Sequence, residues 1–220
     1  MSAKTFTHKS FPPFATNCYA VEGGIILDPG MGSAEWINEL AQSQGFHPTM
    51  IILTHGHLDH CFDAKLISDQ WKIPVYVSKA DAYLIEDPLQ GIRPESVLAF
   101  HEIPAIPLSD FDRLDFMPTR GNFAGFEIFH APGHTRGCVL LVNESDVFSG
   151  DVLFNGTIGR TDLPCSNPED MVASLRKLLR GTGFDLSDEL QLRPGHGESS
   201  TIRHERMTNP FLLKPESILL

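Results

Sequence analysis

Apolar residues along this chain recur in two rhythms. Short runs at Cys18–Val21, Gly24–Leu27, Met50–Leu53 and Val75–Val77 predict strands covered on both faces, which read as near-continuous apolar stretches. Similar runs return at Gly125–Phe129, Cys138–Val142, Asp146–Phe148 and Leu190–Leu192. Between them the spacing turns helical. Trp36, Ile37, Leu40 and Ala41 share one face of a helix that Ser33 should cap and Gly45 should end. A second helix is expected from about Phe62 to Trp71, and a short one from Ser78. The clearest runs from Asn167 to Arg180. Asn167 is its cap, Pro168 opens it, and Glu169 and Asp170 suit its positive end. Met171, Val172, Leu175, Leu178 and Leu179 form its buried stripe, and Gly181 should stop it. Asp28-Pro29-Gly30 reads as a turn, and residues 86–125, rich in Pro, Gly and Asp, read as long loops. Strands in batches with helices between them predict an α/β (α+β) chain of sheets packed face to face with helices outside.

Composition narrows the field. The 220 residues show no repeat and no break in composition, so one domain over residues 1–220 is expected. The chain carries 17 Lys and Arg against 28 Asp and Glu, a net charge of −11, and no basic cluster, which argues against nucleic acid as a partner. The N-terminal stretch MSAKTFTHKSFPPF lacks the apolar core of a signal peptide, and no apolar run could span a bilayer. Cys18, Cys61, Cys138 and Cys165 form no C-x-x-C pair, as expected for reduced thiols in a cytoplasmic protein without a membrane partner. Cys61 and Cys138 are read as packing residues.

The chemistry concentrates after the strand at Met50. His55, His57, Asp59 and His60 place four ligand-type side chains within six residues. Alternation along extended backbone points His55 and His57 the same way. Three later places repeat the arrangement. Apolar strands run into Ala131-Pro132-Gly133-His134, into Ser149-Gly150-Asp151 and into Pro194-Gly195-His196. Together they supply five His and two Asp at strand ends, enough for two adjacent metal ions with a solvent position left open. The remaining histidines, His8, His47, His101, His130 and His204, lack this setting and are read as structural or surface groups. His130, four residues before His134, is the one that could support a ligand from behind.

The His55-Gly56-His57-Leu58-Asp59-His60 signature with His134, Asp151 and His196 resembles the metallo-β-lactamase fold superfamily. The resemblance implies a four-layer αββα sandwich with its site at one sheet edge. It assigns His55, His57 and His134 to one divalent ion and Asp59, His60 and His196 to the other, with Asp151 bridging. Zinc is the first choice, iron or manganese the alternatives. Phe154 to Asp162 resembles the segment after the bridging aspartate in glyoxalase II-like thioesterases, and the tail from Pro194 to Phe211 is similar to single-domain members of that group. There Arg160 falls where a basic residue contacts the thiol carrier, while Asp162 replaces an aromatic. The bland alternative is that Arg160 and Asp162 form a structural ion pair. Phe62 and Asp63 stand where glycine is usual, and Asp63 is expected to cap the helix that follows.

What the resemblance implies is a binuclear metal-dependent hydrolase that cleaves a small-molecule thioester with a metal-bound hydroxide, Asp59 orienting the nucleophile and taking its proton. A mononuclear iron persulfide dioxygenase on the same fold, using His55, His134 and Asp151, is the alternative enzyme. An inactive metal-binding module is the alternative outside catalysis. A thioesterase stops with chelator, a dioxygenase consumes oxygen, and a binding module does neither.

Overall fold

The computed structural model describes residues 4–93, 113–179 and 183–220. Its packing divides into two compact units, residues 5–117 and residues 118–220 with Lys4. Each unit is built on one six-stranded sheet, so the chain is mixed α/β with two sheets, as expected.

In the first unit β1 (Phe6–Phe11), β2 (Thr16–Val21) and β3 (Ile25–Leu27) pair antiparallel. Then β4 (Met50–Ile52), β5 (Val75–Ser78) and β6 (Leu114–Met117) add in parallel, in the order β1 to β6. Parallel neighbours need crossover connections, and α1 (Ser33–Gln44) and α3 (Ala64–Trp71) supply them. The short α2 (Leu58–Cys61) precedes α3, and α4 (Ala82–Glu86) follows β5. Ile26, Ile37, Ile51, Leu53, Ile67 and Val75 are fully or almost fully buried in one core. Each such side chain contributes about 1.5–3 kcal/mol of burial.

The second unit orders its strands β12-β11-β10-β9-β8-β7. They are β7 (Arg120–Phe123), β8 (Phe126–His130), β9 (Val139–Val142), β10 (Asp146–Gly150), β11 (Gln191–Pro194) and β12 (Ser200–Thr201). Helix α5 (Pro168–Leu178) covers this sheet through Met171, Leu175 and Leu178, and α6 (Ile202–Thr208) and α7 (Pro210–Leu213) close the chain. Strand β9 is antiparallel to both β8 and β10, and β10 is parallel to β11. Hence β8, β10 and β11 run the same way and end at one edge.

Several expectations are corrected. Ser33 does not cap α1: Gly32 holds the cap position in left-handed backbone, at φ 87°, with no side-chain cap. The first turn is closed instead by Asp63, whose Oδ2 accepts the Ala34 N–H at 2.9 Å. Asp63 therefore caps a distant helix rather than the one it precedes, which has no side-chain cap. The helix expected from about Phe62 to Trp71 is α3, which begins at Ala64, while the short α2 before it has no counterpart among the expected elements. Strands β1, β6, β7 and β12 have no counterpart among the expected elements. All four are sheet edges. An edge strand pairs on one side only and leaves much of its surface in water, so no apolar alternation marks it. The stretch read as loops over residues 86–125 thus contains β6 and β7; its residues 94–112, with His101, lie outside the described residues. Asn167 caps α5 as expected, its side chain accepting the Asp170 N–H at 2.9 Å. The stop expected at Gly181 also lies outside the described residues. Among the described residues no helix is long and apolar enough to cross a membrane.

Candidate metal centre

In the first unit the ligand-type side chains sit where β4 leaves its sheet. His55 and His60 are buried to 0 % exposure and His57 to 8 %. Their rings crowd together, with centroids 4.9 Å apart for His55 and His57 and 4.2 Å for His55 and His60. Asp59 Oδ2 lies 3.6 Å from His60 Nε2 and accepts the Thr16 hydroxyl at 3.2 Å. Crowding of this kind is costly unless each ring is oriented and the facing atoms share a cation.

The orienting group is Asp28, at the end of β3. It is buried, with left-handed backbone at φ 49°. Its Oδ1 accepts the Thr54 N–H at 2.7 Å, and its Oδ2 accepts the Thr54 hydroxyl at 2.7 Å. The same Oδ2 meets His60 Nδ1 at 3.0 Å. Thr54 Oγ1 in turn lies 3.1 Å from His55 Nδ1. Since the Thr54 proton goes to Asp28, His55 must donate from Nδ1, as must His60. One carboxylate therefore sets the tautomer of two rings and leaves both Nε2 atoms as lone-pair donors, the form that binds metal. A second buried carboxylate, Asp81, accepts the Gly56 N–H at 2.9 Å and pins the turn between His55 and His57. Gly91 packs on His57: a Cβ there would come within 2.8 Å of His57 Cδ2.

In the second unit three side chains follow the three strands that end together. His134 comes after β8, Asp151 after β10 and His196 after β11. They meet at one atom, since His134 Nε2 and His196 Nε2 each lie 3.4 Å from Asp151 Oδ2. His134 Nδ1 donates to the Arg160 carbonyl at 2.9 Å. Its Nε2 is then a lone pair facing a carboxylate oxygen, and two acceptors at that distance repel unless a cation lies between them. Phe154 packs edge-on against the His196 ring, with centroids 5.9 Å apart. Gly159 touches the Asp151 backbone. A Cβ there would fall 1.8 Å from the Asp151 carbonyl oxygen, so no other residue fits without moving Asp151.

The C-terminal residues brace this loop. Glu205 is fully buried; its carboxylate accepts the Gly156 N–H and the Asn209 amide, at 2.9 and 2.8 Å, and the Ser200 hydroxyl. Asn209 also donates to the Thr157 carbonyl at 3.1 Å. Arg206 ties the tail to the Leu178 and Leu186 carbonyls and to Asp188.

Five of the seven expected ligands thus follow strand ends, while Asp59 and His60 stand on the short helix α2. The structure brings His55, His57, Asp59 and His60 together in one unit and His134, Asp151 and His196 together in the other. Arg160 is exposed and paired with Asp162 through two contacts, at 2.7 and 3.0 Å, so its side chain forms the ion pair while its carbonyl serves His134. His130 donates from Nε2 to the Arg136 carbonyl at 2.9 Å and is not part of the ligand set. Burial pushes the Cys61 and Cys18 thiols well above the ordinary cysteine range, which keeps them neutral and unreactive, as packing residues should be. Sequence reasoning gave no supporting role to Asp28, Asp81 or Glu205, although Asp28 was read in a turn and Glu205 lies in the tail that carries the resemblance. The signal for Asp28 was an acid placed directly after a buried strand, the same arrangement that marked Asp151.

A family model described as the metallo-β-lactamase superfamily matches residues 11–189. A protein of Haemophilus influenzae named hydroxyacylglutathione hydrolase is 34% identical, over 90% of this chain and 93% of its own. A protein solved in a di-iron-bound form is 33% identical with a TM-score of 0.80, covering 93% of this chain and 99% of that one. A structure described as a B3 metallo-β-lactamase is 31% identical with a TM-score of 0.78, covering 94% and 99%.

Proposed function

This chain belongs to the metallo-β-lactamase superfamily, and we propose that it is a binuclear metal-dependent hydrolase acting on a small-molecule thioester. The observation that carries the reading is the pair of preset donor sets: Asp28 and the Arg160 carbonyl hold Nδ1 protons on His60 and His134, so that Nε2 of each is presented for coordination. We read residues 1–220 as one domain. On that reading His55, His57 and His134 would hold one ion and Asp59, His60 and His196 the other, with Asp151 as a further donor. Zinc, iron and manganese all accept such nitrogen and oxygen donors.

The chemistry that divalent ions would supply there is a bound water of lowered pKa and a polarised carbonyl. The chain's own groups do the rest. Asp59, steadied at Oδ2 by Thr16, orients the attacking water and takes its proton. Asp28 keeps His60 from rotating as charge develops, and the Arg160 carbonyl does the same for His134. Arg160 is on a solvent-exposed ion pair, which is weakly held, so it can exchange Asp162 for an anionic group of the substrate. The Haemophilus relative's name supports the thioester as the scissile bond, the overall charge of −11 accords with a reaction on small molecules rather than nucleic acid, and free cysteines accord with a cytoplasmic setting.

The test uses purified, metal-loaded protein. Thioester absorbance of an acylthiol such as S-lactoylglutathione should fall in proportion to enzyme and stop with chelator. Oxygen uptake with one iron per chain and no hydrolysis would instead make the protein a dioxygenase. Turnover of a chromogenic β-lactam in place of any acylthiol would move the substrate class.

A further inference from the structure

A cleft of about 470 Å³ opens in the second unit, with Arg120, Phe129, His130, Lys177 and Phe184 but none of the seven expected ligands among its lining residues. Arg120 opens β7 and pairs across the ladder with Phe129, so the two side chains rise from the same face of the sheet. Lys177 projects from the last turn of α5, its Nζ 5.8 Å from the centre of the Phe184 ring. Phe129 and Phe184 pack together with centroids 4.9 Å apart and form an apolar wall. Two permanent cations thus flank a pair of phenyl rings. Among the described residues neither Arg120 nor Lys177 makes an ion pair, and no carboxylate lines the cleft.

The chemistry specifies an occupant. The two cationic side chains call for an anion, and Arg120 suits a phosphate in particular because its guanidinium offers paired donors. The phenyl wall calls for a flat apolar body, which a bare inorganic anion would leave facing water. The volume falls within the ~300–1,000 Å³ usual for small-molecule sites. We propose that this cleft binds an organic phosphate carrying a heteroaromatic ring, the chemistry of a nucleotide, with the phosphate between Arg120 and Lys177 and the ring against Phe129 and Phe184. His130 lines the cleft and His134 follows it by four residues, so the two backbone positions are at most ~14 Å apart. An occupant therefore lies beside the segment that presents a candidate metal ligand. The inference does not depend on the thioester reading.

Calorimetric titration of the metal-loaded protein with ADP tests it. Saturable binding is expected, with a dissociation constant between about 10 μM and 1 mM. The paired substitution R120Q/K177Q, at exposed positions that should leave the melting curve unchanged, should weaken ADP by about tenfold or more, with the loss shrinking as salt is raised. Inorganic phosphate should bind at least about tenfold more weakly than ADP. The proposal fails if ADP gives no saturable heat. It fails equally if R120Q/K177Q binds ADP like the parent, which would place the nucleotide at the metals. Equal affinity for phosphate and ADP would reduce the cleft to a simple anion site and overturn the role of the phenyl wall.

Discussion

The two donor sets are built in opposite ways. In residues 5–117 the donors are contiguous, four side chains within six residues, and their support is remote: Asp28 comes from the end of β3 and Asp81 from after β5. In residues 118–220 the donors are dispersed, one after each of three strands, and their support is largely backbone and tail. The Arg160 carbonyl orients His134, Gly159 lets the chain press against Asp151, and Glu205 and Asn209 hold the loop between. A contiguous motif brings its donors close at no cost in topology but does not fix their rings. A dispersed set depends on strand direction to bring its donors together, and then needs less from side chains. The first set should accordingly fail by loss of orientation and the second by loss of position.

The largest effect is expected from removing the shared atom of the dispersed set. Asp151→Ala should lower acylthiol turnover by about three orders of magnitude, ~4 kcal/mol of barrier, with the melting temperature of the metal-free protein little changed. Asp28→Ala should strike the contiguous set through orientation. It removes the acceptor for His60, and for both the amide and hydroxyl of Thr54, so a loss of about 3 kcal/mol of stability is expected, read by chemical denaturation. Metal affinity should fall by ~10–100-fold, measured by competition with a chromogenic chelator. If Asp28→Ala binds metal like the parent, the contiguous motif orients itself and the contrast between the two sets is lost.

Glu205→Ala probes the dispersed set from behind. It leaves the Gly156 N–H and the Asn209 amide without their buried acceptor, at a cost of about 2 kcal/mol. Turnover at saturating substrate should drop by less than about tenfold, because Glu205 braces the loop rather than touching the reacting groups. A drop matching that of Asp151→Ala would mean that loop position, not the donor, is limiting.

The smallest effect concerns pH. Burial raises the Asp63 carboxyl above the ordinary carboxylate range, against the pull of the α1 backbone N–H groups that it accepts. Its folded value thus exceeds its unfolded one, so its contribution to stability is fully present below the unfolded value of ~3.9 and is lost as the pH rises through the folded value. Asp63→Asn should flatten the slope of stability against pH across that acid-to-neutral window, while Oδ1 of the new amide still accepts from Ala34. An unchanged slope in urea melts between these limits would show that the carboxyl is not desolvated in the fold.

Legibility followed burial. Strands β2, β3, β4, β5, β8, β9, β10 and β11 announced themselves because each is largely covered and so must be apolar. The edges β1, β6, β7 and β12 did not, since half of each backbone faces solvent and polar residues such as His8, Asp115 and Arg120 cost nothing there. The seven donors were legible for a related reason: histidines and aspartates gathered in the turns and the short helix that follow buried strands are out of keeping with their surroundings. Their helpers were not. Asp63 looked like a cap for its own helix, and only packing revealed that its partner is Ala34, 29 residues away.

By itself the amino-acid order determined which segments are buried, which side chains can ligate, and the family to which the chain belongs. Hydrophobic periodicity and residue chemistry are local properties, carried by neighbours along the backbone. The tertiary structure alone decided that β8, β10 and β11 end at one edge, that Asp28 fixes the tautomers of His55 and His60, and that Arg120 and Lys177 flank the same pair of rings. Those relations join residues far apart in the chain, and no local pattern encodes the direction in which a strand pairs or the distant group that a carboxylate meets.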